Sequence, residues 1–141
     1  MNLKVKRLNL EAQLPSRATD GSGYYDIYST EDKVIEAGKL SKISTGWIFE
    51  IPERFILDIR PRGGLSNSSI LIANSPGTLD SDYRGELFIL LLNLSPNAYQ
   101  VKIGDRIAQV NLQKVSPLSF TEVNIVSKTQ RGEGALGSTG R

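Results

Sequence analysis

Short runs of apolar residues separated by glycine, proline, asparagine and aspartate recur along the chain, and no stretch carries the three-to-four-residue apolar spacing of a long helix. The pattern predicts strands at residues 3–8, 24–29, 33–36, 40–51, 54–60, 70–73, 87–94, 100–103, 106–115 and 120–126. Alternation is clearest in FILDIR at 55–60, which implies one apolar face and one partly polar face. The run LFILLL at 87–92 breaks the alternation, so both faces of that strand are expected to be shielded from water, by the core on one side and by the core or a neighbouring subunit on the other. Many short strands with turn signals between them predict an all-β, jelly-roll-like sandwich or barrel. After residue 126 the chain turns polar and rich in glycine. Residues 1–126 therefore read as one β domain and residues 127–141 as a mobile arm, too poor in apolar surface to offset its ordering entropy.

Composition narrows the chemistry more than the fold. The 141 residues include neither histidine nor cysteine. That excludes a Ser-His-Asp triad, a thiolate nucleophile and a His/Cys zinc site. Acid–base work falls mainly to Asp, Glu, Lys or Tyr, and any metal is a hard cation on oxygen ligands, most simply Mg²⁺. The net charge is +2, from 17 basic and 15 acidic residues that are scattered, so no stripe suits a nucleic acid and no cluster suits a membrane surface. No apolar run approaches a membrane span, and the start MNLKVKRLNL lacks a signal-peptide core; a cytoplasmic protein is expected.

Four segments could carry chemistry, and the arm makes a fifth. TLDSDYRGE at 78–86 precedes the apolar run, and strand alternation there would send Asp80 and Asp82 to one face and Ser81 and Tyr83 to the other. A solvated turn explains the same residues. RPRGGLSNSS at 60–69 sets an arginine beside two glycines and several hydroxyls, which suits phosphate or an ordinary surface turn. KIGDRIAQ at 102–109 reads as a hairpin with Gly-Asp at its tip, Gln109 being its obvious ligand group. YYDIY at 24–28 puts Asp26 on a strand face with Tyr24 and Tyr28. The arm, RGEGALGSTGR, is not a P-loop, but its unhindered N–H groups could wrap an anion.

In order, the segments SGYYDIYS (22–29), PRGGL (61–65), GTLDSDYRG (77–85), GDRIAQ (104–109) and RGEGALGSTG (131–140) resemble the five motifs of the trimeric dUTPase family. The resemblance implies a jelly-roll-like homotrimer whose three active sites are each built from all three chains. Its reaction would be hydrolysis of dUTP to dUMP and pyrophosphate with Mg²⁺ on the triphosphate. It implies that Asp80 is the general base that activates water, and that Tyr83 packs under the deoxyribose. Asn74, Gly77, Thr78 and Leu79 would read the uracil edge. Arg62, Gly63, Gly64 and Gln109 would hold phosphates, with Asp26 reaching the metal through water. Arg131, Leu136, Gly137, Ser138 and Thr139 would belong to an arm that closes over a neighbour's site. Three positions depart from the family pattern: Gly63 stands for its serine, Tyr24 for a glycine, and Leu136 for the aromatic that stacks on uracil. Slower or weaker turnover is the expectation from these. A dCTP deaminase-like enzyme, and a nucleotide-sensing or regulatory binding protein on the same fold, are the alternative readings.

Overall fold

The computed structural model describes residues 2–135. The chain forms β1 (Lys4–Arg7), β2 (Tyr25–Tyr28), β3 (Lys33–Ile35), β4 (Leu40–Ser44), β5 (Trp47–Glu50), β6 (Phe55–Arg60), the single-turn α1 (Gly63–Ser66), β7 (Ile70–Ile72), β8 (Gly77–Leu79), β9 (Phe88–Asn93), β10 (Tyr99–Val101) and β11 (Arg106–Lys114). All pairing is antiparallel, in a four-stranded sheet ordered β2-β11-β6-β8, a three-stranded sheet β4-β9-β7, and the pairs β1-β5 and β10-β3. The fold is the jelly-roll-like β-sandwich that the strand pattern predicts.

The core lies between the sheets and is dominated by Ile27, Ile43, Phe49, Leu57, Ile59, Ile89, Leu91 and Val110. β9 shows how the apolar run is used. Ile89, Leu91 and Asn93 are buried, whereas Phe88, Leu90 and Leu92 face outward and are only half-covered. Leu92 pairs across the sheet with Leu40 on one side and Leu71 on the other, and both of these are exposed. The outer face of this sheet is thus a row of leucines.

Several expectations are corrected. The segment 40–51 is two strands in two sheets, divided at Thr45 and Gly46. Gly46 has φ +71°, and a Cβ there would stand 2.8 Å from that of Ala12, so the corner needs glycine both for its backbone and for its space. Gly104 and Asp105 do not close a hairpin, because β10 and β11 on either side lie in different sheets. Residues 120–126 form no strand and are exposed: nothing among the described residues offers them a ladder, and β-propensity needs a partner to be realised. β8 escaped the pattern, since its three residues follow directly on the turn-forming Ser75-Pro76, a cis peptide. Among the described residues no helix is long and apolar enough to cross a membrane.

Candidate active site

The first, second and fourth motifs meet in one cleft of about 250 Å³, lined by Ala18, Ser22, Gly23, Tyr24, Asp26, Arg62, Gly63 and Gln109. Sheet register explains the meeting. Gln109 on β11 lies opposite Asp26 on β2 and opposite Arg60 on β6, so three sequence-distant strands align at one level. Asp26 is buried, 6% exposed, and is held by two cations: Arg62 Nε donates to its Oδ1 at 2.7 Å and Arg106 Nη1 to its Oδ2 at 3.5 Å. Arg62 caps α1 in an extended conformation. Gly63 and Gly64 follow it, and no atom lies within 4 Å of where a Cβ would stand on either, so the backbone faces open space rather than protein. Gln109 Nε2 donates to the Pro61 carbonyl at 2.8 Å and so fixes the same turn. The cleft offers guanidinium, amide and bare backbone N–H groups, a donor set suited to a polyanion.

Tyr24 also lines the cleft, but its hydroxyl turns away from Asp26. It donates to Asp58 Oδ2 at 2.6 Å, and Arg60 Nε donates to the same oxygen at 2.8 Å. Asp58, on the partly polar face that the alternation of β6 implied, is therefore buried and paired. Donation to Asp58, then burial and that carboxylate's charge, raise the Tyr24 phenol above its ordinary pKa.

The third motif is built differently from the alternating strand expected. Thr78 and Leu79 pair with β6, and the chain then turns, with Tyr83 N–H donating to the Asp80 carbonyl at 3.2 Å. Asp80, Asp82 and Tyr83 are exposed in this turn and Ser81 is half-buried, because the ladder to β6 has ended. The Tyr83 ring lies over Gly85, where a Cβ would collide with its hydroxyl, and that hydroxyl donates to the Glu86 carbonyl at 3.2 Å. Gly77 is equally constrained, since a Cβ there would meet the Asn74 carbonyl oxygen at 2.9 Å and Ile59 Cβ at 3.3 Å. Asn74, Gly77, Thr78 and Leu79 are thereby brought together at one end of the β6–β8 pair.

Within one chain the Asp80 turn and the cleft remain apart. Leu79, the last paired residue before Asp80, lies opposite Leu57, three residues along β6 from Arg60, and the Arg62 guanidinium is bound to Asp26 on β2, three strands away from β8. At ~3.3 Å per residue and ~4.8 Å per strand, the two groups are roughly 20 Å apart. Arg131 does not line the cleft; its Nε closes a local turn on the Gly134 carbonyl at 2.8 Å. Leu136, Gly137, Ser138 and Thr139 lie outside the described residues. Among the described residues no three His, Cys, Asp or Glu side chains group to hold a metal, so Asp26 alone in the cleft suits only a cation that brings most of its own oxygen ligands. The sequence reading set Tyr24 beside Asp26 but missed its bond to Asp58, and missed Arg106 as a partner of Asp26; these partners lie 34 and 80 residues away and leave no local trace.

The family model described as dUTPase matches residues 10–140. The chain is 44% identical to the deoxyuridine 5'-triphosphate nucleotidohydrolase of Nautilia profundicola over the whole of both chains. It is 42% identical to that of Clostridium tetani, over 99% of this chain and 97% of the other. The dUTPase of Staphylococcus bacteriophage 80alpha, solved with dUpNHpp, superposes with a TM-score of 0.90 at 27% identity over 99% of both chains. The dUTPase of phage phi11 of S. aureus shares the fold, with a TM-score of 0.82 at 23% identity over 92% of this chain and 100% of that one. The chain therefore belongs to the dUTPase family and is a hydrolase.

Proposed function

We propose that the protein hydrolyses dUTP to dUMP and pyrophosphate in sites shared between the chains of a homotrimer. The observation that carries this reading is the separation just described: a phosphate-suited cleft and an exposed carboxylate turn are both fully formed, yet roughly 20 Å apart in one chain. They serve one substrate only if different copies bring them together. The leucine row Leu40, Leu92 and Leu71 gives such copies an apolar face to pack on.

In this mechanism the Asp80 carboxylate takes a proton from water as the water oxygen attacks the α-phosphorus. The bond from that phosphorus to the α–β bridging oxygen breaks, and pyrophosphate leaves with the electron pair. Tyr83 packs against the deoxyribose, and Asn74 with the backbone of Gly77, Thr78 and Leu79 reads the uracil edge. Arg62, Gly63, Gly64 and Gln109 hold the phosphates. Asp26 would reach Mg²⁺ on the triphosphate through water, and the metal would supply charge neutralisation there. Residues 127–141, with Arg131 and the segment around Leu136, Gly137, Ser138 and Thr139, form the arm that covers a neighbour's site and excludes bulk water.

The test is pyrophosphate release from dUTP with Mg²⁺, beside dCTP, dTTP and UTP. Release from dUTP alone supports the reading, and ammonia from dCTP or no release from dUTP overturns it. Asp80→Asn should lower kcat by roughly 10²–10⁴, the scale of a lost general base.

A further inference from the structure

Asp58 is a buried carboxylate with no part in the chemistry above. Its two partners come from opposite walls of the phosphate cleft. Tyr24 ends the loop that supplies Ala18, Ser22 and Gly23, and Arg60 ends the strand that leads into Arg62 and Gly63. Apart from the Tyr24 tie and Arg17 lying over the Tyr25 ring of β2, 5.8 Å from its centroid, the contacts of the loop are local. The Arg17 side chain donates to the Asp20 carbonyl, and Thr19 and Ser22 hydrogen-bond each other. The Tyr24 phenol leaves the loop, crossing to Asp58 at 2.6 Å.

We propose that Tyr24 is a positioning residue for the polyphosphate: anchored on Asp58, it fixes the 17–24 loop against β6 and so sets the width of the cleft. The glycine usual here in the family has no side chain to make this tie. The Asp58 carboxylate suits the task because it accepts from both walls at once, and a charge-assisted hydrogen bond of this length is among the stronger kinds. The inference rests on the cleft being the phosphate site of the reaction proposed above.

Tyr24→Phe keeps the ring and removes the tie. Inorganic pyrophosphate, titrated calorimetrically into the full-length protein, should bind the variant about 5–10-fold more weakly, the net scale of one ordinary intramolecular hydrogen bond. KM for dUTP should rise by a similar factor while kcat changes less than about twofold, a split that loss of stability alone does not produce. Asp58→Ala removes the Tyr24 tie together with that of Arg60 and should weaken pyrophosphate binding at least as much as Tyr24→Phe; it stands in for that variant if the phenylalanine chain does not fold. Asp58→Asn, which keeps an acceptor oxygen for the phenol, should restore most of the affinity. A folded Tyr24→Phe protein with the parent's pyrophosphate affinity and KM would overturn the tether while leaving the reaction intact. A parent protein that neither binds pyrophosphate nor hydrolyses dUTP would overturn both.

Discussion

Two inactive chains should make an active mixture. Asp80→Asn removes the proposed base and Arg62→Ala the cleft cation, and these groups stand roughly 20 Å apart at opposite corners of the β2-β11-β6-β8 sheet. If each site takes position 80 from one copy and position 62 from another, a mixed oligomer can pair an intact Asp80 with an intact Arg62. With equal amounts of the two chains and random reassortment, half of the copies offering position 80 are intact, and half of those offering position 62. About one quarter of the sites then carry both residues, and the mixture should regain about one quarter of the parent rate. The assay is to co-refold the two variants, confirm hetero-oligomers by native mass spectrometry, and follow pyrophosphate release from dUTP. A site contained in one chain gives no recovery at all, because every chain lacks one of the two groups. Verified mixing with activity no higher than that of either variant alone would refute the shared site.

Other perturbations test separate parts of the molecule. Gly77→Ala should destabilise the fold by about 1–3 kcal/mol through overpacking, visible as a lower Tm, because the new methyl meets the backbone of Asn74 and Ile59 Cβ. Deletion after Val126 should leave the sedimentation mass that of a trimer while removing most dUTP hydrolysis; unchanged kinetics would take residues 127–141 out of the mechanism. Tyr99 has its pKa raised by burial and then by the Asp105 charge, so it holds its proton longer folded than unfolded. Its contribution to stability is complete below the unfolded value near 10 and is lost as pH rises through the folded one. Urea titrations should accordingly show Tyr99→Phe losing less stability than the parent above pH 10.

The β-sandwich was legible because its longest strands announce themselves by composition: LFILLL became β9, and 106–115 became β11 almost entire. What local pattern could not supply was partnership. Residues 120–126 have strand-like composition and no ladder among the described residues, whereas Gly77–Leu79 lacks that composition and forms a strand because β6 lies beside it. The break at Gly46 was hidden for a related reason, since the crowding by Ala12, Asn9 and Thr30 that demands a glycine exists only after folding. In the site, Asp26, Arg62 and Gln109 could be named from motif order, and the structure places all three on one cleft. The bond from Tyr24 to Asp58 could not, because alternation assigns a residue to a face without saying which distant side chain it meets there.

Glu86 immediately follows the Asp80 turn, and its half-buried carboxylate accepts from the Ser44 hydroxyl and, at 2.8 Å, from the Gly46 N–H. The bend that carries the chain from one sheet into the next is thus also the mooring of the turn, with Tyr83 pinned to the Glu86 carbonyl on top of it. The backbone of the turn that carries Asp80 is thereby tied to the corner between two sheets. On the proposed mechanism, substitutions at Ser44 or Glu86 would reach the chemistry by loosening that tie.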